Sequence, residues 1–150
     1  MATGDKKCSA CGSIKSADNF TGRQSQCNSC RSAQNKIKAN LSTDNFLFLK
    51  LTKLKDRHRA KEYEGEVITF EDIKLLYESQ RGNCALTGLP MHATTDESDL
   101  SVSVDRIDNN LGYVLGNVRL VCSRVNLMMS NLDDAHFTWW CRAVVNHIGN

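Results

Sequence analysis

The chain has 150 residues, 41% of them hydrophobic and 24% charged, with a formal net charge of +2. That length suits one domain, or a compact domain with an added module. No apolar run approaches the roughly 20 residues that cross a bilayer, and residues 1–12 lack the apolar stretch of a signal peptide. A cytoplasmic protein is expected, with its seven cysteines reduced.

The charge is unevenly spread. Residues 1–61 hold thirteen Lys and Arg against four acids, and residues 62–150 hold six against thirteen. A basic half joined to an acidic half suggests a nucleic-acid grip beside a cation site. The alternative is an ordinary uneven surface.

Residues 1–31 read as a cysteine knuckle. Cys8 and Cys11, and Cys27 and Cys30, form two C-x-x-C pairs with fifteen residues between them. Two intervening residues let a tight turn aim both sulfurs inward. Four thiolates make a closed tetrahedral site of the structural zinc type. A pair of redox motifs would need a thioredoxin-like βαβ surrounding that is missing here. Cys84, Cys122 and Cys141 read as buried small hydrophobes, although residues 84–87 and 122–125 look like C-x-x-C pairs that have lost their second members.

Residues 32–66 form a basic helical segment with a break at 40–44. Ser42 or Thr43 is placed to cap a helix through Phe46, Leu49, Leu51 and Leu54, and Gly65 ends the stretch. Lys50, Lys53, Arg57 and Lys61 fall on one face at three- and four-residue steps, which makes them candidate phosphate contacts. Such contacts position DNA without reading its sequence. A solvated helix face is the plainer reading.

Residues 67–150 form the candidate catalytic part. Thr69 and Asp72 read as a capping box for a helix through Ile73, Leu76 and Tyr77, ending near Gly82. An alternating strand through Val102 and Val104 ends on Asp105. A Gly-rich loop follows, then a strand from Asn117 and a helix carrying Asn126. This order can bring Asp105, Asn117 and Asn126 to one point, where a carboxylate and amide oxygens would suit a hard cation such as Mg²⁺. Asp133 or Asp134 starts a last helix ending at Ile148, with Trp139 or Trp140 expected in the core. No Pro-rich or Ser-rich linker separates the three parts, so one compact unit is expected.

From about residue 83 to 131 the chain resembles the HNH, or ββα-metal, endonuclease superfamily. The matching pieces are residues 84–88, 103–108, Gly112 with Tyr113, residues 117–122, and Asn126. The knuckle is similar to zinc modules that precede such domains in phage nucleases and small four-cysteine restriction enzymes. The resemblance implies an α+β fold with a ββα-metal core, and a metal-dependent DNA endonuclease of phage or bacterial type. It implies that Asp105 and Asn126 bind Mg²⁺ and that Asn117 braces the loop. The residue after the acid is usually a histidine base in that superfamily, and here it is Arg106. Arginine stays protonated near neutral pH and is no base; it could clamp the scissile phosphate instead. His92, Tyr113, Asp108 and a water acidified by the ion are the alternatives for proton removal. The expected partner is double-stranded or branched DNA. Two strands need two sites, so a homodimer comes into view, with the apolar run at 46–49 as one interface candidate. The rival reading is a non-catalytic, zinc-stabilised DNA-binding module on a degenerate HNH scaffold.

Overall fold

A computed structural model gives the fold and describes residues 4–96 and 99–148. Strands β1 (Asp5–Lys7) and β2 (Ile14–Ser16) form a short antiparallel hairpin. Five helices follow: α1 (Asn28–Ala39), α2 (Thr43–Ala60), α3 (Phe70–Ser79), α4 (Ser123–Met129) and α5 (Asp134–Ile148). A second antiparallel hairpin, β3 (Val102–Arg106) with β4 (Val118–Cys122), lies between α3 and α4. The chain is therefore α+β, and β3–β4–α4 is a strand–strand–helix unit. Among the described residues no helix is long and apolar enough to cross a membrane.

Local chemistry sets the helix starts. The Ser42 side chain accepts the Asn45 amide at 3.1 Å and opens α2. Thr69 and Asp72 make a reciprocal capping box for α3, which also holds the Asp72 carboxyl below its ordinary pKa, chiefly through the Thr69 amide. Asp133 accepts the His136 amide at 2.8 Å and opens α5. Helix α2 stops at Ala60 rather than near Gly65, because Glu62 takes a left-handed backbone (φ 53°) that breaks the helical ladder.

One apolar core joins Ala39 of α1, Phe46, Leu47, Leu51 and Leu54 of α2, Ile73 of α3, and both strands of the second hairpin. The sequence boundary at 31 falls inside α1, and the boundary at 66 lies between helices that share this core. Phe46 and Leu47 are core residues rather than an interface; of that run, Phe48 is the exposed member. Among the described residues the knuckle has a separate cluster of Cys8, Phe20 and Cys27, with Cys30 packed alongside.

Helix α5 corrects an expectation. Trp139 and Trp140 are 60% and 55% exposed, and no described residue of α5 is buried. The two indoles pack edge-to-face on each other, 4.7 Å between centroids, instead of entering the core. Cys141, on the same helix, is only partly buried, unlike Cys84 and Cys122.

Candidate active site and metal centre

The knuckle hairpin carries Cys8 and Cys11 towards the start of α1, where Cys27 precedes the helix and Cys30 lies in its first turn. The four Sγ atoms all lie within 4.8 Å of one another. Sulfurs about 2.3 Å from a tetrahedral zinc sit about 3.8 Å apart, so the four residues fit that ion. Hydrogen bonds to three of the sulfurs favour the thiolate form. Cys8 Sγ accepts from Cys27 N at 3.3 Å and from Ala10 N at 3.4 Å, and the Cys27 amide is the main cause of its lowered pKa. The Cys30 amide acts likewise on Cys27, and the Ser13 hydroxyl on Cys11. The Cys30 thiol is pushed up to about 12 by its contacts with Cys27 and Cys11. Four thiolates cannot crowd together without counter-charge: Lys15 Nζ lies 3.5 Å from Cys27 Sγ, and a divalent cation would supply the rest.

The second site is built on the β3–β4 hairpin. Register places Asp105 directly opposite Arg119, and Ser103 opposite Val121. Asp105 is buried, and its Oδ2 accepts from Arg119 Nε at 2.8 Å. The two terminal nitrogens of Arg119 reach out to Asp134 on α5 at 2.6 and 2.5 Å. That contact holds the Asp134 carboxyl below its ordinary range and raises Arg119. Arg119 thus bridges a buried and a half-exposed carboxylate. It occupies one oxygen of Asp105 and leaves Oδ1 for a cation.

Asn126, on α4, donates its amide nitrogen to Ser103 Oγ at 2.8 Å. Ser103 and Asp105 share one face of β3, two residues apart. The hairpin and helix therefore bring Asp105 and Asn126 to the same face, with the Asn126 amide oxygen available as a donor. Asn117 points elsewhere. Its Oδ1 accepts the Asp108 amide at 2.8 Å, while its Nδ2 donates to the carbonyls of Asp108 and Gly112 at 3.0 and 2.9 Å. Both ends of that amide are spent on the loop. One carboxylate and one amide oxygen suit Mg²⁺, which keeps most of its waters.

Arg106 closes the same loop. Its Nη1 donates to Tyr63 Oη at 2.6 Å and to the carbonyls of Asn109 and Leu111 at 2.9 and 3.0 Å. The guanidinium lies over the rings of Tyr63 and Tyr113, 4.9 and 5.3 Å from their centroids. Beneath it, buried His58 accepts the Tyr113 amide on Nδ1 at 3.3 Å, which places the ring proton on Nε2. A side chain at Gly112 would put its Cβ 2.5 Å from the His58 ring, so only glycine lets the loop pass.

Sequence reasoning missed Tyr63, His58 and Arg119. A signal existed for His58: it continues the apolar stripe of Leu47, Leu51 and Leu54 at helical steps. Of the other base candidates, Asp108 is engaged in a turn with Asn110, and Tyr113 is buried under Arg106. His92 pairs beside Ser101, four residues before Asp105, or roughly 13 Å along a strand.

Lys50 and Lys53 line a cleft of about 650 Å³ between α1, α2 and the start of α4, together with Arg31, Lys36 and Arg124. Lys50 Nζ lies 4.9 Å from the centre of the Phe46 ring. Its pKa is lowered, first by burial and then by repulsion from Lys53 and Arg57. Two acids, Asp96 and Asp99, also line the cleft and pair with Lys36 and Arg124. Arg57 and Lys61 extend the basic helix face as exposed side chains. Asp105 does not line this cleft.

No family model and no curated protein matches the chain. Among solved structures it is similar to the rare-cutting HNH restriction endonuclease PacI. The identity is 19% over 95% of this chain and 94% of that one, with a TM-score of 0.46.

Proposed function

We propose that the chain is a divalent-cation-dependent DNA endonuclease that hydrolyses phosphodiester bonds. The observation that carries this reading is the hairpin that sets the buried Asp105 carboxylate on one face with Asn126 of the returning helix. Asp105 Oδ1 and the Asn126 amide oxygen would hold Mg²⁺, and Cys8, Cys11, Cys27 and Cys30 would hold Zn²⁺. A divalent cation at the hairpin would acidify an attacking water and stabilise charge on the phosphate oxygens. Asn117 fixes the loop that borders the site. Arg106 braces that loop through Nη1 and, at longer range, through Nη2 to Asn109 Oδ1 at 3.4 Å; its guanidinium would supply positive charge beside the scissile phosphate. Lys50, Lys53, Arg57 and Lys61 would grip the DNA backbone, double-stranded or branched.

Incubation with supercoiled plasmid and with a four-way DNA junction, in Mg²⁺ or in EDTA, tests the reading. Cutting that requires Mg²⁺ is expected; undiminished cutting in excess EDTA contradicts it. One observation favours a second reading. Arg119 already neutralises Asp105, and Arg106 is largely spent on its loop. A zinc-stabilised module that binds DNA without cutting it would show affinity and no products on either substrate.

A further inference from the structure

Two of the three cysteines outside the knuckle, Cys84 and Cys122, sit in a backbone that repeats the zinc knuckle bond for bond. In the knuckle, Cys8 N donates to Ser13 O at 2.9 Å, Gly12 N to Cys8 O at 2.9 Å, and Ser9 N to Ser25 O at 2.9 Å. In the second region, Cys84 N donates to Leu89 O at 2.8 Å, Gly88 N to Cys84 O at 2.9 Å, and Ala85 N to Leu120 O at 2.9 Å. Cys27 N reaches Cys8 Sγ at 3.3 Å, and Cys122 N reaches Cys84 Sγ at 3.3 Å. Lys7 pairs with Ile14 across the first turn, and Asn83 with Pro90 across the second. Gly12 and Gly88 share a left-handed φ of 71° and 70°. Cys27 and Cys122 each precede a helix in extended conformation, at φ −68° and −63°.

The donor atoms follow the backbone. Ser13, two residues after Cys11, acts on the Cys11 thiol and lowers its pKa. At the matching place, Leu89 N donates to Thr87 Oγ1 at 3.4 Å. Thr87 follows Cys84 at the same three-residue step by which Cys11 follows Cys8. It therefore sits where Cys11 sits in the knuckle. Val125 takes the place of Cys30, in the first turn of α4, and packs against the main core.

We propose that residues 84–89 and 120–125 form a second metal knuckle whose donor set is reduced to two thiols and one hydroxyl, so that it holds no metal ion until at least a third thiol is restored there. Two thiolates and a neutral hydroxyl fall short of the closed four-ligand set that structural zinc requires. Hydrogen bonds through Thr87 and apolar packing of Val125 replace the ion. The ligand class is a thiophilic divalent cation: Zn²⁺, Co²⁺ or Cd²⁺. The inference does not depend on the nuclease reading.

Zinc per chain, measured by native mass spectrometry on the purified full chain, tests it. One zinc is expected for the native chain and two for the Thr87→Cys/Val125→Cys variant. A Cys84→Ser change added to that variant should return the count to one. Two zinc ions in the native chain would overturn the proposal, as would a folded double variant that holds one. Should the double variant fail to fold, Thr87→Cys alone supplies three thiolates. Cobalt titration of that variant is expected to show a second equivalent with thiolate-to-cobalt absorption, which the native chain lacks; a single equivalent in both would overturn the proposal.

Discussion

The N-terminal knuckle and the region around Cys84 and Cys122 share a backbone but not a means of holding it. Among the described residues the knuckle encloses Cys8, Phe20 and Cys27. Its four thiols converge, and an ion must supply what so small a core cannot. The second region is stitched into the main core, with Val102, Leu120 and Val121 fully buried around it. There two ligands are replaced by a hydroxyl and a methyl-bearing side chain, and the turn keeps its shape. Ligands are indispensable where burial is scarce and expendable where burial is ample.

Zinc removal should separate the two regions most sharply. Cys27→Ser, or strong chelation, is expected to unfold residues 4–31 outright while the rest stays folded. Amide hydrogen exchange would show full loss of protection in the first region only. Protection lost equally in both would erase the distinction.

The converse change is Leu120→Ala, which empties a fully buried position of the main core. A loss of about 2–5 kcal/mol is expected in denaturant unfolding, with zinc content unchanged. A drop in zinc content would mean that the knuckle leans on the core.

The smallest effect concerns α5, which has no described buried residue and is tied by Asp134 to Arg119. The Asp134 carboxyl is lowered in the folded state by that guanidinium. The contact therefore contributes its full stability above the unfolded carboxylate pKa of about 3.9, and loses it as pH falls through the lower folded value. Helix α5 should gain exchange in that acid window before the hairpin does, and Asp134→Asn should reduce the pH dependence to the share that Asp133 contributes by accepting the His136 amide.

Much of this was legible in the sequence because it is local. The spacing of Cys8, Cys11, Cys27 and Cys30 announces the knuckle. Ser42 and the Thr69–Asp72 box mark helix starts, and the alternation at Val102 and Val104 marks β3. What stayed hidden depends on long-range register. Arg119 meets Asp105 because the two strands pair in one alignment, which no local pattern prints. Tyr63 reaches Arg106, and His58 reaches Tyr63 and the Tyr113 amide, only after α2 packs beside the loop. Trp139 and Trp140 look like core residues by type, yet no element of the described chain covers them. The repeat of the knuckle is written mostly in backbone hydrogen bonds, with only Cys84, Gly88 and Cys122 surviving as letters.

The central claim is that Asp105 anchors the cation that drives DNA cleavage. It is tested most directly by comparing native protein with Asp105→Ala on supercoiled plasmid in Mg²⁺, with DNA affinity measured beside it. The expected result is cutting by the native chain, a loss of at least about a hundredfold in the variant, and DNA affinity that is unchanged or higher. Equal cutting by both proteins, or binding without cutting by both, would contradict the account.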